Sequence, residues 1–437
     1  MKLNQCLAVI LIAGLLLGTT EKAYAGIQME EEDYIANDQS GIPDDGLFQA
    51  VLRAGDRNAD GRLSREEARA VTSLDAGGRQ IADLTGLDAL AHLSWLNIRD
   101  NMITDLSALS RLTGLAWLDI SGNAVADITP LQNLINLTGL YLADNLVEDI
   151  GPVEDMIRLR CLDASYNRLT SIEPLSKQRR LQVLFLDGNH IEKLDVCLQM
   201  PALQDLRLAH NRVGDITPLQ NCINLGRLVL YDNQIQDLDP MKHLSKLRYL
   251  YAGENQIADI RPLSGLSQLL VVSIDNNRIE SLDALKDMAN LTMLSASHNQ
   301  IQDLSPIANL TRLTWLNVSW NALASLPDLS WLTELQPDGT CFLGNDLTKE
   351  ECFKKLPHHL TQNSEWMWKN GFRILGDVDD DGRISAADAL LVLQAATFKI
   401  TLSDLQRELA DVDGDTGITP NDALLILQYA TGKIASF

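Results

Sequence analysis

The chain has 437 residues, 46% apolar and 22% charged, enough for two or three domains or for one long solenoid with appendages. Its 36 Lys+Arg stand against 59 Asp+Glu, a formal net charge of −23. No Lys/Arg run in the sequence builds a basic groove, so the balance argues against nucleic acid as a partner.

Residues 1–25 read as an export signal. Lys2 gives a short positive start, Leu7 to Leu17 an apolar core too short to span a bilayer, and Ala23-Tyr24-Ala25 a small-x-small cleavage site. No later stretch is apolar for long enough to insert, so no membrane insertion is expected. Five cysteines follow the signal. Cys197 and Cys222 fall at leucine positions of the repeat and read as small core hydrophobes, while Cys341 and Cys352 could form one bridge.

Residues 26–73 read as an N-terminal cap. Asp56, Asn58 and Asp60 stand at loop positions 1, 3 and 5, Gly61 at 6, Leu63 at 8 and Glu67 at 12, between two apolar helical stretches. That spacing fits a calcium loop to which Arg62 adds a backbone carbonyl; the alternative is an Asp/Asn/Gly turn between cap helices.

The dominant feature spans 74–337. Asparagine recurs from Asn101 to Asn321 eleven times at a constant 22-residue interval, within the pattern L-x-x-L-x-L-x-x-N-x-I-x-D-L-x-P-L. The central L-x-L alternates with period two, so each repeat places one short strand with its leucines inward. A buried Asn amide can then satisfy the turn that follows, and a frequent Pro starts the return on the far side without needing a ladder N–H. Stacked copies give an α/β solenoid with a parallel sheet on its concave face and short helical turns on the convex one. Eight of the 33 outward strand positions are aromatic, namely Trp95, Trp117, Tyr141, Phe185, Tyr231, Tyr249, Tyr251 and Trp315, against 5% for the chain. Such enrichment points to a protein or polysaccharide ligand held on the concave face. Strand preference for aromatics is the competing explanation. Residues 338–370, with Trp366 and Trp368, read as a second cap covering the last leucine layer.

Residues 371–437 contain two matching loop-helix units offset by 34 residues. Asp377, Asp379, Asp381 and Asp388 occupy positions 1, 3, 5 and 12 of the first, and Asp411, Asp413, Asp415 and Asp422 those of the second. Clustered carboxylates repel one another unless a hard divalent cation neutralises them, and oxygen-only ligation suits calcium. Arg383 and Gly417 would add carbonyls at position 7. In the second loop Thr416 stands where the sharp turn asks for glycine, which predicts a strained, weaker site.

The repeats resemble the internalin-like class of leucine-rich repeats, which implies a curved horseshoe. The C-terminal pair, with its D-A-L-L-[VI]-L-Q helix starts, resembles a dockerin, a small all-α calcium-loop domain. That resemblance implies attachment to a cohesin on a scaffoldin, as in cellulosomes, and so an extracellular chain held at a cell surface. It places partner choice at Ala386, Ala387, Pro420 and Asn421, with Gln394 and Gln428 further along each helix. The Ser-Thr pair of clostridial members is absent there. The seven His are scattered, and no catalytic constellation appears, so the sequence reads as a non-catalytic binding protein. An adhesin displayed on a scaffold, or a polysaccharide hydrolase hidden in the cap, are the other readings.

Overall fold

In a computed structural model, residues 34–361, 363–370, 376–379 and 383–435 are described. The segment read as an export signal, Asp381 and Gly382 lie outside them, as does the side chain of Trp368.

Two cap helices come first, α1 (Asp45–Gly55) and α2 (Arg65–Arg69). Asp44 starts α1 by accepting from the Leu47 amide, and Ser64 with Glu67 forms a capping box on α2. Thirteen short strands follow in one parallel sheet whose spatial order is the chain order, β1 (Ser73–Asp75) to β13 (Thr340–Cys341). Pairing is in phase with the 22-residue repeat, so Leu96, Leu118, Leu140 and their successors stack in one fully buried column. The outer two residues of most strands are only half-buried, which leaves one face of the sheet open. On the opposite side, three- to five-residue 3₁₀ turns such as Thr129–Leu131 and Thr217–Asn221 carry the chain back, with Pro in their first positions.

The repeated asparagines hold consecutive turns together. Asn145 donates to Leu142 O and Ala143 O of its own turn and to Ile120 O of the preceding one, and accepts from Val125 N, all within 2.9–3.3 Å. The residue before each Asn is left-handed, from Asp100 at φ +55° to Trp320 at φ +55°. The asparagine amide pins a backbone bend that L-residues otherwise disfavour.

The rhythm read as ending at 337 continues for one more turn. A 3₁₀ turn at Pro337–Gly339 absorbs two extra residues, β13 pairs with β12 (Trp315–Asn317), and Asn345 takes the asparagine role toward Val318 O, Phe342 O and Leu323 N. Helices α3 (Lys349–Lys355), α4 (His358–Thr361) and α5 (Ser364–Lys369) then close the leucine core. Trp366 is buried, donates its indole N–H to Thr340 O and meets Phe342 edge-on. Cys341 and Cys352 are both free thiols, so no bridge joins them. Cys197 and Cys222 are fully buried, and burial pushes the Cys222 thiol up to about 12.

A separate small core, around Val378, Val392, Ala410, Val412 and Ile426, supports α6 (Ala386–Ala396), α7 (Asp404–Ala410) and α8 (Pro420–Ala430). Its pairs Val378/Val412, Ala389/Ala423 and Val392/Ile426 reproduce the 34-residue duplication in three dimensions.

Candidate functional site

The cap loop and the second C-terminal loop share one hydrogen-bond plan. In the cap, Asp56 accepts from Asp60 N and Gly61 N, Asn58 from Asp60 N, and Asp60 from Arg62 N. In the C-terminal loop, Asp411 accepts from Asp415 N and Thr416 N, Asp413 from Asp415 N, and Asp415 from Gly417 N. The position-12 carboxylates differ in length but reach the same groups. Glu67 accepts from Arg57 N, Ser64 N and Ser64 Oγ; Asp422 accepts from Val412 N, Thr419 N and Thr419 Oγ1. The Ser64 N–H holds the Glu67 carboxyl below its usual range.

Asp388 repeats this in the first loop, receiving Val378 N and Asp379 N on one oxygen and Ser385 N on the other. Carboxylate oxygens of Asp377, Asp379 and Asp388 lie within 4.8 Å of one another, as do those of Asp411, Asp413 and Asp415. An all-oxygen set of this kind fits a hard cation of calcium's type. The Thr416 backbone sits at φ +70°, so the sharp turn falls on the β-branched residue and not on Gly417, while Gly61 takes φ +76° at the same position of the cap loop.

The residues expected to meet a cohesin lie on α6 and α8. Ala386, Ala387, Pro420 and Asn421 are exposed, and Gln394 and Gln428 half-buried. Asn421 also donates to Asp413 Oδ2 at 2.7 Å, tying the start of α8 to a loop carboxylate. Between these positions Leu390, Leu393, Leu424 and Leu427 are exposed on the same two helices, and Phe398 is 96% exposed at φ +57°. Sequence reasoning missed the four leucines because helical apolar residues read as core; their 34-residue pairing, Leu390 with Leu424 and Leu393 with Leu427, was the available signal.

On the sheet, seven of the eight aromatic positions are half-buried and Trp315 is exposed. The rings lean on one another along the solenoid. Trp95 stacks on Trp117 with centroids 4.6 Å apart and planes 8° apart, and Trp117 meets Tyr141 at 5.2 Å. Further along, the Arg207 guanidinium lies 4.0 Å over Phe185 and that of Arg227 4.9 Å over Tyr249, with Asp205 between the two arginines. Glu254 accepts from the Tyr231 hydroxyl and raises it to about 12. Burial lifts the Asp187 carboxyl above its usual range. Tyr166 and Trp320 are more exposed than most of the expected rings, and both occupy the left-handed position before Asn. Each lies over the glycine one turn on, Gly188 and Gly344, where a Cβ would come within 2.5 Å of the ring.

One expectation is corrected by the fold. Cations dispersed in the sequence do gather on one rim of the sheet, where Arg227, Lys246 and Arg248 line a common recess. The sequence hides them because they come from successive repeats.

These features define a leucine-rich-repeat solenoid followed by a duplicated acidic loop-helix module. The leucine-rich-repeat family matches residues 157–197, 201–243 and 245–287, and the dockerin type I domain family matches 375–429. An internalin (InlF) from Listeria monocytogenes is 31% identical, with a TM-score of 0.69 over 73% of this chain and 94% of that one. The InlJ functional domain from Listeria monocytogenes (24%, TM-score 0.58, covering 69% and 74%) shares the fold. So does a leucine-rich-repeat protein from Leptospira interrogans (22%, TM-score 0.54, covering 62% and 78%). No curated protein matches the chain. The chain belongs to the internalin-like leucine-rich-repeat proteins and carries a C-terminal dockerin domain. Both parts are binding modules, and among the described residues no helix is long and apolar enough to cross a membrane.

Proposed function

We propose that the chain is a secreted, non-catalytic binding protein, tethered through calcium to a cohesin of a scaffoldin while its repeats hold a ligand. The observation that carries the tether is the dockerin match over paired loops whose carboxylate oxygens already converge. Calcium would be held by Asp377, Asp379, Asp381, Asp388 and the Arg383 carbonyl in one loop. Asp411, Asp413, Asp415, Asp422 and the Gly417 carbonyl would hold it in the other. Asp56, Asn58, Asp60, Glu67 and the Arg62 carbonyl form the third candidate, in the cap. Bound calcium supplies the positive charge that lets these carboxylates stay together. The cohesin face is Ala386, Ala387, Gln394, Pro420, Asn421 and Gln428, extended by the exposed leucines between them.

For the ligand, the ladder of Trp95, Trp117 and Tyr141 offers rigid contact area at low entropic cost. Cohesin capture by the full chain tests the tether: binding in calcium and its loss in chelator, with the repeat fold intact by circular dichroism, is the expected result. Cohesin binding that ignores chelator would overturn it. Substituting Trp95 and Trp117 by Ala should weaken ligand capture by the repeats and leave cohesin capture unchanged.

A further inference from the structure

The charge of this chain is sorted by position within the repeat. In none of the eleven repeats does the five-residue segment leading into the strand (244–248 before Tyr249, for example) contain Asp or Glu. In a chain with 59 acidic residues that is a conspicuous gap, and the same segments carry the pairs Arg158/Arg160, Arg179/Arg180 and Lys246/Arg248, all exposed. Across the sheet, the residues that leave the strand include Asp144, Asp232 and Glu254. The entry rim is therefore free of carboxylates and carries Lys or Arg in four of its eleven repeats, whereas the exit side mixes both signs.

The basic rim is a hydrogen-bonded column. Gln182 N donates to Arg160 O, Gln204 N to Gln182 O, Gly226 N to Gln204 O and Arg248 N to Gly226 O, each at 2.8–2.9 Å. Four steps at the strand spacing of about 4.8 Å separate Arg160 from Arg248 by roughly 20 Å. Gly226 adds no side chain, and beside it opens a recess of about 720 Å³ lined by Gln204, Asn224, Arg227, Lys246, Arg248 and Gln268. Three cations meet one lining carboxylate, Asp205, and Tyr249 forms one wall. Lys246 is oriented by Asn224 Oδ1 at 2.6 Å, and neither Lys246 nor Arg248 forms an ion pair among the described residues.

We propose that this rim binds a linear anionic polysaccharide of the uronate type, its carboxylates on Arg248, Lys246 and Arg160 and its hydroxyls on the amides between. Guanidinium planes pair with carboxylates through two parallel hydrogen bonds, and amides both donate and accept as sugar hydroxyls do. Apart from Gly226 and the Tyr249 ring, every residue that lines the recess is charged or polar, which suits a hydroxylated anion better than the apolar anchor of a protein hot spot. Duplex DNA, with one charge per ~1.7 Å, is opposed by the acidic remainder of the molecule far more than a sparsely charged glycan is. The site stands on charge and does not depend on the aromatic ladder.

The test is affinity electrophoresis and calorimetry on the full chain in calcium, with polygalacturonate as the probe and its methyl ester, polyglutamate and a DNA duplex as comparisons. Polygalacturonate should bind and weaken as salt rises, and the neutral ester should bind about tenfold worse or not at all. The exposed double variant Lys246→Glu/Arg248→Glu should lose about tenfold or more with its circular dichroism unchanged, whereas the equally exposed charge reversal away from the rim, Lys193→Glu/Lys286→Glu, should bind as the parent does. Absence of binding by the parent chain, equal binding of the ester, or indifference to the double variant overturns the proposal. Polyglutamate or DNA bound as tightly as polygalacturonate also overturns it, because the rim would then read charge alone.

Discussion

Asn211 makes four hydrogen bonds through one amide, to Leu186 O, Leu208 O, Ala209 O and Ile191 N. No other side chain of similar size offers two donors and an acceptor in that geometry, which is the physical reason the residue recurs. Asn211→Ala leaves buried backbone groups unpaired in two successive turns and should cost about 2–4 kcal/mol, read from urea unfolding. Thr416 is the converse case, a residue held where its Cβ is unwelcome. Thr416→Gly removes about 1–2 kcal/mol of backbone strain and should tighten one calcium site of the isolated dockerin domain by roughly tenfold. Calorimetry with both sites unchanged would show that the strain is not coupled to ion binding. The domain's own hydrophobic core supports its use in isolation.

At the scale of the element, the convex turns are started by aspartates as much as by prolines. Asp105, Asp127, Asp215 and Asp259 each accept from the amide two residues on, and hydrogen bonds from Ser107, Thr129, Thr217 and Arg261 lower their carboxyls below the ordinary 3.8. A depressed folded-state value stabilises the fold above the unfolded value and loses that stabilisation as pH falls through the folded one. The solenoid should therefore melt at constant temperature near neutrality and earlier below about pH 4. Asn at these four positions keeps the turn and loses the titration, so the quadruple Asp→Asn variant should flatten the acid limb in thermal melts followed by circular dichroism. In the dockerin domain the same economy recurs on α6 and α8. Ser385 with Asp388 and Thr419 with Asp422 form capping boxes, so each position-12 carboxylate both starts a helix and faces an acidic loop.

At the scale of the whole molecule, two cores are built on different plans. The solenoid core is one continuous leucine column sealed by caps at both ends, whereas the C-terminal core is small and close to clustered charge. A small core stabilises weakly, so its fold should lean on the cation. Scanning calorimetry should show two transitions, with chelator lowering the dockerin transition. A single transition insensitive to chelator would contradict the independence of the two cores.

Much of this was legible before the fold. The eleven asparagines, the inward leucines and the paired acidic loops all announce themselves because each is a local periodic demand of the backbone or of an ion. Thr416 could be singled out on the same ground, since a positive φ is a property of one residue in one turn. Three things were decided only by tertiary structure. Asn345 joins the ladder after a break in spacing, because a 3₁₀ turn can absorb residues that a strict period cannot. Tyr166 and Trp320 become exposed rings because each rests over a glycine one turn away. The basic rim exists because parallel stacking brings together, every ~4.8 Å, side chains that the sequence holds 22 residues apart. A net charge of −23 is a sum over the chain, and only the stacking says where the positive part of that sum is collected.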